Sequence, residues 1–287
     1  MTGVQTCALP IYGETFEDAS KHAFDLARES GLVVVHPFDD PQVIAGQGTL
    51  GLELVEEIGR PGTVYIPVGG GGLLAGIGAA VKEIYPETEL VAVQAQGASS
   101  LLPSLKEGRP VACPEAHTIA DGIAVKTIGK IPFPIHQALV DDVILLAEPE
   151  IEQAICLYMD IEKTVAEGAG ATPLAALLGH PQRFAGKKVG LVLSGGNIDS
   201  RLLAQVINRG MVRSGRVMSL RIHINDVPGT LARVASVVGE TGGNILEVHH
   251  QRMFTDVPAK AAELDLMVET RDPESARDMI KIGRAHV

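Results

Sequence analysis

Four consecutive glycines, Gly69–Gly72, are the feature of the sequence with the clearest chemistry. The apolar run Thr63–Val68 before them predicts a buried strand, and the small apolar residues Leu73–Val81 after them predict a tightly packed helix. A loop without side chains leaves its backbone N–H groups open to a ligand, and the start of a helix adds partial positive charge. The sequence therefore predicts an anion site at this loop, with phosphate as the favoured anion.

Three kinds of phosphate site compete for this loop. A Walker loop is excluded because Gly72 is followed by Leu73 instead of Lys and Ser or Thr. A dinucleotide site fits loosely, but the next predicted strand, Leu90–Gln94, lacks the carboxylate that would hold a ribose. A pyridoxal-phosphate (PLP) site requires only backbone amides. The alternative without a ligand is a glycine-rich turn for close helix–sheet packing, and four glycines in a row favour phosphate over it.

Ser194 marks a possible second half of the site, because it follows another predicted buried strand, Lys188–Leu193. Ligands of open α/β sheets bind at the carboxyl ends of strands, so Ser194 and the glycine loop could face one crevice. A serine hydroxyl can hydrogen-bond a pyridine nitrogen without holding it protonated, and a neutral ring suits direct expulsion of a β-hydroxyl. The equally good alternative is that Ser194 caps the helix that follows.

Four motifs, in this order and spacing, resemble those of the threonine dehydratase (threonine ammonia-lyase) group of fold-type II PLP enzymes, close relatives of serine dehydratases and serine racemase. The motifs are Pro67–Leu73, Thr118–Gly122, Glu167–Ala171 and Ser194–Asn197. The resemblance begins near Gly13 and covers nearly everything downstream. It implies an α/β fold of the tryptophan-synthase-β type with a parallel sheet, and PLP as the cofactor.

The resemblance also implies roles for single residues. The phosphate would be held by Gly69, Gly70, Gly71, Gly72 and Leu73, while Gly122 would line the ring, Glu167 would lie near it and Ser194 would meet the pyridine nitrogen. Related racemases bind a divalent cation through a Glu and an Asp, which Gln94 and Ser100 replace here. Because neutral amide and hydroxyl ligands hold a hard cation poorly, we expect no metal site.

The catalytic lysine of the group is not found in this chain. The resemblance places it in a Ser-Phe-Lys motif of the N-terminal half, followed by a Ser-x-Gly-Asn motif, and the N-terminal part of this sequence contains neither. The lysines present read as solvated residues; examples are Lys82, Lys106, Lys126, Lys130 and Lys163. We therefore expect half a cofactor site, no catalytic residue, and no activity from this chain alone.

The two ends of the chain look foreign to the protein. Residues 4–11 and 282–287 can be back-translated into complementary strings that match a common sequencing adapter. We expect residues 1–11 and 282–287 to be translated adapter, exclude them from the fold prediction, and expect the natural protein to be cut at both ends.

The rest of the chain divides into two predicted domains. Residues 12–213 alternate strands with helices, which predicts a mostly parallel sheet covered on both faces. The predicted strands are Leu32–Val35, Val64–Val68, Leu90–Gln94, Val143–Leu146 and Val189–Leu193, and the predicted helices include Thr15–Ser30, Val43–Ile58, Ile151–Glu167 and Asp199–Val212. Residues 214–218 are predicted to be a linker.

Residues 219–281 form a predicted βαββα series that resembles an ACT amino-acid-binding domain of ferredoxin-like fold, with its last strand missing. Gly229 lies at the start of its first helix, where backbone N–H groups could receive a carboxylate, and Asn244 could hold an amino group. The alternative is that Pro228 and Gly229 simply form a turn. Such domains respond to a branched-chain amino acid or hold subunits together.

Composition limits the partners. A net charge of −11 argues against nucleic acid or an anionic membrane, and no apolar stretch reaches the length of a membrane span. Cys113 and Cys156 have no disulfide or metal spacing, in keeping with a cytoplasmic protein. From the family, we expect a homo-oligomer, either a dimer or a tetramer.

The predicted reaction is the PLP-dependent conversion of L-threonine to 2-oxobutanoate and ammonia, a step of isoleucine biosynthesis or of threonine degradation. One alternative is an L-serine dehydratase or a serine racemase-like enzyme. The other is a module that senses amino acids or joins subunits without catalysis.

Overall fold

The structure is a computed structural model that describes residues 12–13, 16–253 and 257–286. The predicted adapter segment 1–11 lies outside the described residues, as does Val287, whereas residues 282–286 belong to the last helix. The chain forms two compact units. Of the described residues, the first unit contains those up to His117 together with Ile123–Leu145 and Phe184–Val192, and the second contains Thr118–Gly122, Leu146–Arg183 and those from Leu193 onward.

Helices and strands alternate along most of the chain. In order they are α1 (Phe16–Ser30), α2 (Pro41–Ile58), β1 (Thr63–Pro67), α3 (Gly72–Ile84), β2 (Glu89–Ala95), α4 (Leu101–Glu107), α5 (Pro132–Leu139), β3 (Asp142–Leu146), α6 (Glu148–Leu157), α7 (Gly168–Gly179), β4 (Val189–Leu191), α8 (Ser200–Arg213), β5 (Val217–Asn225), α9 (Thr230–Glu240), β6 (Asn244–Gln251), β7 (Ala261–Glu269) and α10 (Pro273–His286). Within the described residues, no helix combines the length and apolar character that crossing a membrane requires.

A four-stranded sheet of order β3-β2-β1-β4 forms the core of the first unit. β1 pairs in parallel with both β2 and β4, with Tyr65 opposite Val91 on one side and Leu191 on the other. Every residue of β1 is buried. A strand buried on both faces requires a continuous apolar run, and this is why β1 and β2 were recognisable from the sequence.

Helices α2 and α3 pack closely together, because glycines line their contact. A Cβ atom on Gly76 would lie 2.3 Å from the carbonyl oxygen of Ile44, and one on Gly51 would lie 2.9 Å from the carbonyl oxygen of Ile77. The first turn of α2 is capped by Asp40, whose Oδ1 accepts hydrogen bonds from the N–H groups of Gln42 and Val43. This packing holds α3, and with it the glycine loop at its start, against α2.

Two predicted elements differ from the structure, and the predicted linker 214–218 is shorter than expected because β5 begins at Val217. Leu32–Val35 forms no strand, and Val33 is 90% exposed, because no described strand lies beside this apolar run to share its hydrogen bonds. The sequence predicts a single helix over Ile151–Glu167. In the structure α6 ends at Leu157, and one π-helical turn, Tyr158–Glu162, follows it. Lys163, with a φ of 55°, then ends the helical conformation.

The C-terminal part of the second unit is an antiparallel sheet of order β5-β7-β6 with two helices. Ile222 of β5 pairs with Leu264 of the central strand β7, where buried and partly exposed residues alternate. The apolar side of β7 packs with Val234, Val238 and Met279 of α9 and α10. The predicted order of strands and helices over residues 219–281 is confirmed.

A buried carboxylate joins α6 to α8 in the second unit. The Glu152 side chain is 6% exposed; its Oε2 accepts a hydrogen bond from Arg209 Nε at 3.1 Å and is also paired with Arg213. We predict that replacing both arginines by alanine lowers the free energy of unfolding by about 3 kcal/mol, because it leaves a buried charge unpaired. Urea unfolding followed by circular dichroism measures this difference.

Adding Glu152→Leu to the double variant should recover most of that loss, since an apolar side chain needs no ionic partner. The matched control is Arg60→Ala, which breaks the exposed pair with Glu87 and should change stability by less than about 1 kcal/mol. A double variant that is as stable as the wild type would show that water reaches Glu152.

Candidate functional site

The glycine loop connects β1 to α3 as the sequence predicts. β1 ends at Pro67 and α3 begins at Gly72, so Val68–Gly71 form the connection, and all four glycines are buried. Gly71 is the N-cap of α3 and has a φ of 97°, a conformation that side-chain-bearing residues rarely adopt. The loop therefore presents the positive end of the α3 dipole.

Close packing at the rear of the loop already requires glycine at three positions. A Cβ atom would lie 2.3 Å from the Phe38 ring if placed on Gly70, 2.2 Å from His136 Cε1 if placed on Gly71, and 2.8 Å from the Phe38 carbonyl oxygen if placed on Gly72. Close packing thus explains the glycines on the rear of the loop, the side that faces Phe38 and His136. It does not account for the front of the loop, the opposite side.

The front of the loop carries unpaired backbone N–H groups. The carbonyl oxygens are engaged: Gly70 O accepts from Gly129 N at 2.9 Å, and Gly71 O accepts from Ala75 N at 3.0 Å. By contrast, no acceptor for the N–H groups of Gly69 through Leu73 is found within the part of the chain that the structure describes. Buried N–H groups without partners are costly, so this loop has the character of an anion-binding site.

Three other predicted residues come together in the second unit, around Glu167. Glu167 N donates to Gly195 O at 3.1 Å, and Glu167 Oε2 accepts from Asn197 N at 3.1 Å. A Cβ atom on Gly122 would lie 3.1 Å from Glu167 Oε1. The structure therefore brings the Gly122 turn and the turn that follows Ser194 against one carboxylate, which accepts a hydrogen bond from the backbone N–H of Asn197.

Ser194 does not cap a helix. Helix α8 begins six residues later, and its cap is Asp199, whose Oδ1 accepts from Arg201 N and Leu202 N at 3.0 and 3.1 Å. Ser194 is exposed, and its hydroxyl makes no hydrogen bond to any described residue. The capping alternative is wrong, and the hydroxyl is available to a ligand.

Comparison with known proteins identifies the family. The model of the family of pyridoxal-phosphate dependent enzymes matches residues 2–195, which include the glycine loop, Gly122, Glu167 and Ser194. The chain belongs to this family. Its α/β fold with a parallel sheet is that of the fold-type II enzymes, so the predicted fold class is confirmed for this part of the chain.

The chain is similar to several members named for reactions of threonine. It is 40% identical to an L-threonine ammonia-lyase of Thermotoga maritima, over 95% of this chain and 68% of that protein. It is 42% identical to an L-threonine ammonia-lyase of Geobacter sulfurreducens, over 94% of this chain and 67% of that protein. The chain thus spans about two thirds of the length of these curated relatives.

Solved structures agree with this family membership. The processed form of threonine deaminase isoform 2 from Solanum lycopersicum is 37% identical, with a TM-score of 0.66, and the match covers 69% of this chain and 59% of that one. The serine racemase of Dictyostelium discoideum is 38% identical, with a TM-score of 0.59, over 66% of this chain and 61% of that one. The match spans about six tenths of each of these solved chains.

The glycine loop fits the phosphate of the family's cofactor. Phosphate oxygens accept hydrogen bonds, and the N–H groups of Gly69–Leu73 need acceptors. Cβ atoms added to Gly70, Gly71 and Gly72 would collide with Phe38 or His136. Glycine therefore lets these peptides pack against the two residues while their N–H groups stay available to a ligand.

Gln94, considered above as a substitute for a metal ligand, has a structural role. Its Nε2 donates to Val68 O at 3.1 Å and its Oε1 accepts from Leu101 N at 2.8 Å, so the amide ties the residue before the glycine loop to the start of α4. Ser100 Oγ is buried and has no partner in the described part of the chain. Within the described residues, no three His, Cys, Asp or Glu side chains cluster as metal ligands do.

His136 and Phe38 are site residues whose roles sequence reasoning missed. The His136 ring is fully buried, and its Nε2 lies 2.9 Å from Gly71 O. Burial lowers the pKa of His136 to about 4, although the hydrogen bond to Gly71 acts in the opposite direction. Neither residue carries a signal in the sequence, because only the packing of α5 and of residues 36–40 against the loop reveals their contacts.

The predicted effector residues lie in the C-terminal sheet and its first helix. Gly229, with a φ of 88°, is the N-cap of α9, and Asn244 begins β6. Asn244 Nδ2 donates to Glu269 Oε2 at 3.4 Å, so its amide is directed toward β7.

Proposed function

We propose that this chain carries the cofactor-phosphate half of a PLP-dependent ammonia-lyase that converts L-threonine to 2-oxobutanoate and ammonia, and that the chain alone, without the catalytic lysine, is inactive. The observation that carries the proposal is the row of unpaired N–H groups at Gly69–Leu73, a phosphate cradle in a chain of the PLP family. The choice of threonine rests on two relatives named L-threonine ammonia-lyase, which are 40% and 42% identical to this chain.

The proposed roles follow from the chemistry of each group. The N–H groups of Gly69–Leu73 bind the phosphate, Gly122 lines the ring through its backbone, and Glu167 lies near the ring. The Ser194 hydroxyl donates to the pyridine nitrogen and, unlike a carboxylate, does not raise the pKa of that nitrogen. PLP supplies the electron sink of the reaction when it is bound.

Cofactor binding is the first test. We expect the chain to bind PLP, as measured by the change in its absorbance and by equilibrium dialysis, and Ser194→Ala to weaken binding about fivefold through the loss of one hydrogen bond. The control is Ser200→Ala, an exposed serine in α8, which should leave the Kd unchanged. Equal PLP affinity of Ser194→Ala and wild type would remove Ser194 from the site.

The reaction is tested separately, because the sequence predicts no catalytic amine in this chain. The chain is joined, from Gly13 onward, to the N-terminal segment of the Geobacter sulfurreducens relative, where the family resemblance places the lysine. We expect 2-oxobutanoate from L-threonine, at a higher kcat/KM than pyruvate from L-serine. A preference for L-serine, or the formation of D-serine, would favour the serine dehydratase or racemase alternative.

For residues 219–281 we propose an ACT-like, ferredoxin-like regulatory domain. Supporting this are the βαββα order and a helix that begins at a glycine of positive φ, with backbone N–H groups suited to a carboxylate. Gly229 and Asn244 would hold a branched-chain amino acid. Isothermal titration with isoleucine and valine tests this, and Asn244→Ala should abolish any heat of binding that is observed.

The setting of the enzyme is also a proposal. An ammonia-lyase acting on threonine would serve isoleucine biosynthesis in the cytoplasm, as a homo-oligomer of two or four subunits. If isoleucine raises the melting temperature of a chain that binds no PLP, the sensing or subunit-joining module becomes the better description.

A further inference from the structure

The carbonyl groups of the glycine loop accept from three donors: Ala75 N of α3, which donates to Gly71 O at 3.0 Å, and two donors from the segment that leads into or forms α5. The N–H of Gly129 donates to Gly70 O at 2.9 Å, and Nε2 of His136 lies 2.9 Å from Gly71 O. Asp39 supports the first of these, because its Oδ1 accepts from Ile131 N at 2.8 Å and fixes the turn that contains Gly129. The carbonyl groups of Gly70 and Gly71 thus both accept hydrogen bonds on the side of the loop that faces α5.

The ring of His136 has one possible hydrogen-bonding state here. A carbonyl oxygen only accepts, so Nε2 carries the proton, and Nδ1 then bears the lone pair. Nδ1 is buried and has no partner in the described part of the chain. Burial keeps the ring neutral by lowering the pKa of His136 to about 4. His136 is therefore a fixed, uncharged donor to a single acceptor, Gly71 O.

Fixing the direction of the Gly71 carbonyl group also fixes the direction of the Gly72 N–H group. No peptide bond among the described residues is cis, and in a trans peptide the C=O of one residue and the N–H of the next point in opposite directions. Because Gly71 O points to His136, the N–H of Gly72 points away from α5. That N–H is one of the donors without an acceptor in the described residues.

We propose that His136 is a positioning residue for the phosphate cradle: together with the helical bond from Ala75 N it holds Gly71 O, and so keeps the N–H of Gly72 directed toward the anion. This rests on the proposed function of the loop. His136 itself touches neither phosphate nor substrate, since its donor is used on the backbone and its ring lies behind the loop. Its contribution is to keep the peptide from turning, so that ligand binding does not require the loop to be ordered first.

Two substitutions in the full 287-residue chain separate hydrogen bonding from packing. His136→Phe keeps an aromatic ring in the same place and removes the donor, whereas His136→Gln keeps an N–H at a similar distance from Cα. Each variant is titrated with PLP and with pyridoxal, which lacks the phosphate. Melting temperatures are measured in parallel to show that each variant is folded.

We expect His136→Phe to weaken PLP binding about tenfold and His136→Gln by less than about threefold, because only the former removes the donor to Gly71. The Kd for pyridoxal should stay unchanged in both. Wild-type affinity for PLP in a folded His136→Phe variant would overturn the inference, as would an equal loss for PLP and pyridoxal. If the wild-type chain binds neither PLP nor inorganic phosphate, the cofactor site itself is wrong and the inference falls with it.

Discussion

Replacing Gly71 by alanine should unfold the glycine loop and abolish PLP binding. The new methyl group would lie 2.2 Å from His136 Cε1 and 3.2 Å from Pro132 Cβ, in a backbone conformation with a φ of 97°. Backbone strain and overpacking together should lower the free energy of unfolding by about 3–5 kcal/mol. Urea unfolding and PLP titration of the purified variant measure the two effects.

The matched control is Gly46→Ala in the middle of α2, where the added methyl group meets nothing within 4 Å and φ is not positive. This change should leave PLP binding unaltered and raise stability by about 0.5–1 kcal/mol, since alanine favours the helix. A Gly71→Ala variant with wild-type stability would show that Gly71 does not hold a positive φ against His136 in the folded chain.

Acid should weaken the first unit through His136. The pKa of His136 in the folded chain is about 4, below the value of about 6.5 for an unfolded chain, so the unfolded chain binds the extra proton between these pH values. The stability due to the neutral ring is complete above about pH 6.5 and decreases as the pH falls. By about pH 4 the loss should reach about 3 kcal/mol, at about 1.4 kcal/mol per pH unit.

The measurement compares urea unfolding of wild type, His136→Gln and His136→Phe at several pH values from 7.5 to 4. Groups other than His136 titrate in all three proteins, so the difference between wild type and variants isolates this ring. The free energies of unfolding of the two variants should change with pH in parallel. The wild type should lose its extra stability relative to them as the pH falls. Parallel curves for all three proteins would show that His136 has the same pKa in the folded and unfolded chains, as an exposed ring would.

Local patterns were enough to predict the glycine loop and its flanking elements. Strand β1 is buried on both faces and its central residues Val64–Ile66 form an apolar run, and the four glycines Gly69–Gly72 that follow it are visible in the sequence. The apolar run Leu32–Val35 shows where that reasoning fails. A strand needs a neighbour for its backbone hydrogen bonds, and no residue pattern within the run itself reports whether one is present.

The two interpretations of Ser194 show a similar limit. A serine a few residues before a helix fits a cap, but capping depends on where the helix begins, and α8 begins beyond Asp199. The π-helical turn at Tyr158–Glu162 was likewise invisible, because its residues would also suit an α-helix.

What the sequence determined by itself was the family, the α/β fold and the position of the glycine loop, because glycines and apolar runs act locally on the backbone. Only the tertiary structure decided how that loop is oriented. The contacts of Phe38 and His136 with it join residues about 30 and 65 positions away along the chain, and such pairings follow from the packing of whole helices. The direction of the Gly71 carbonyl, and with it that of the Gly72 N–H, is therefore a property of the folded unit.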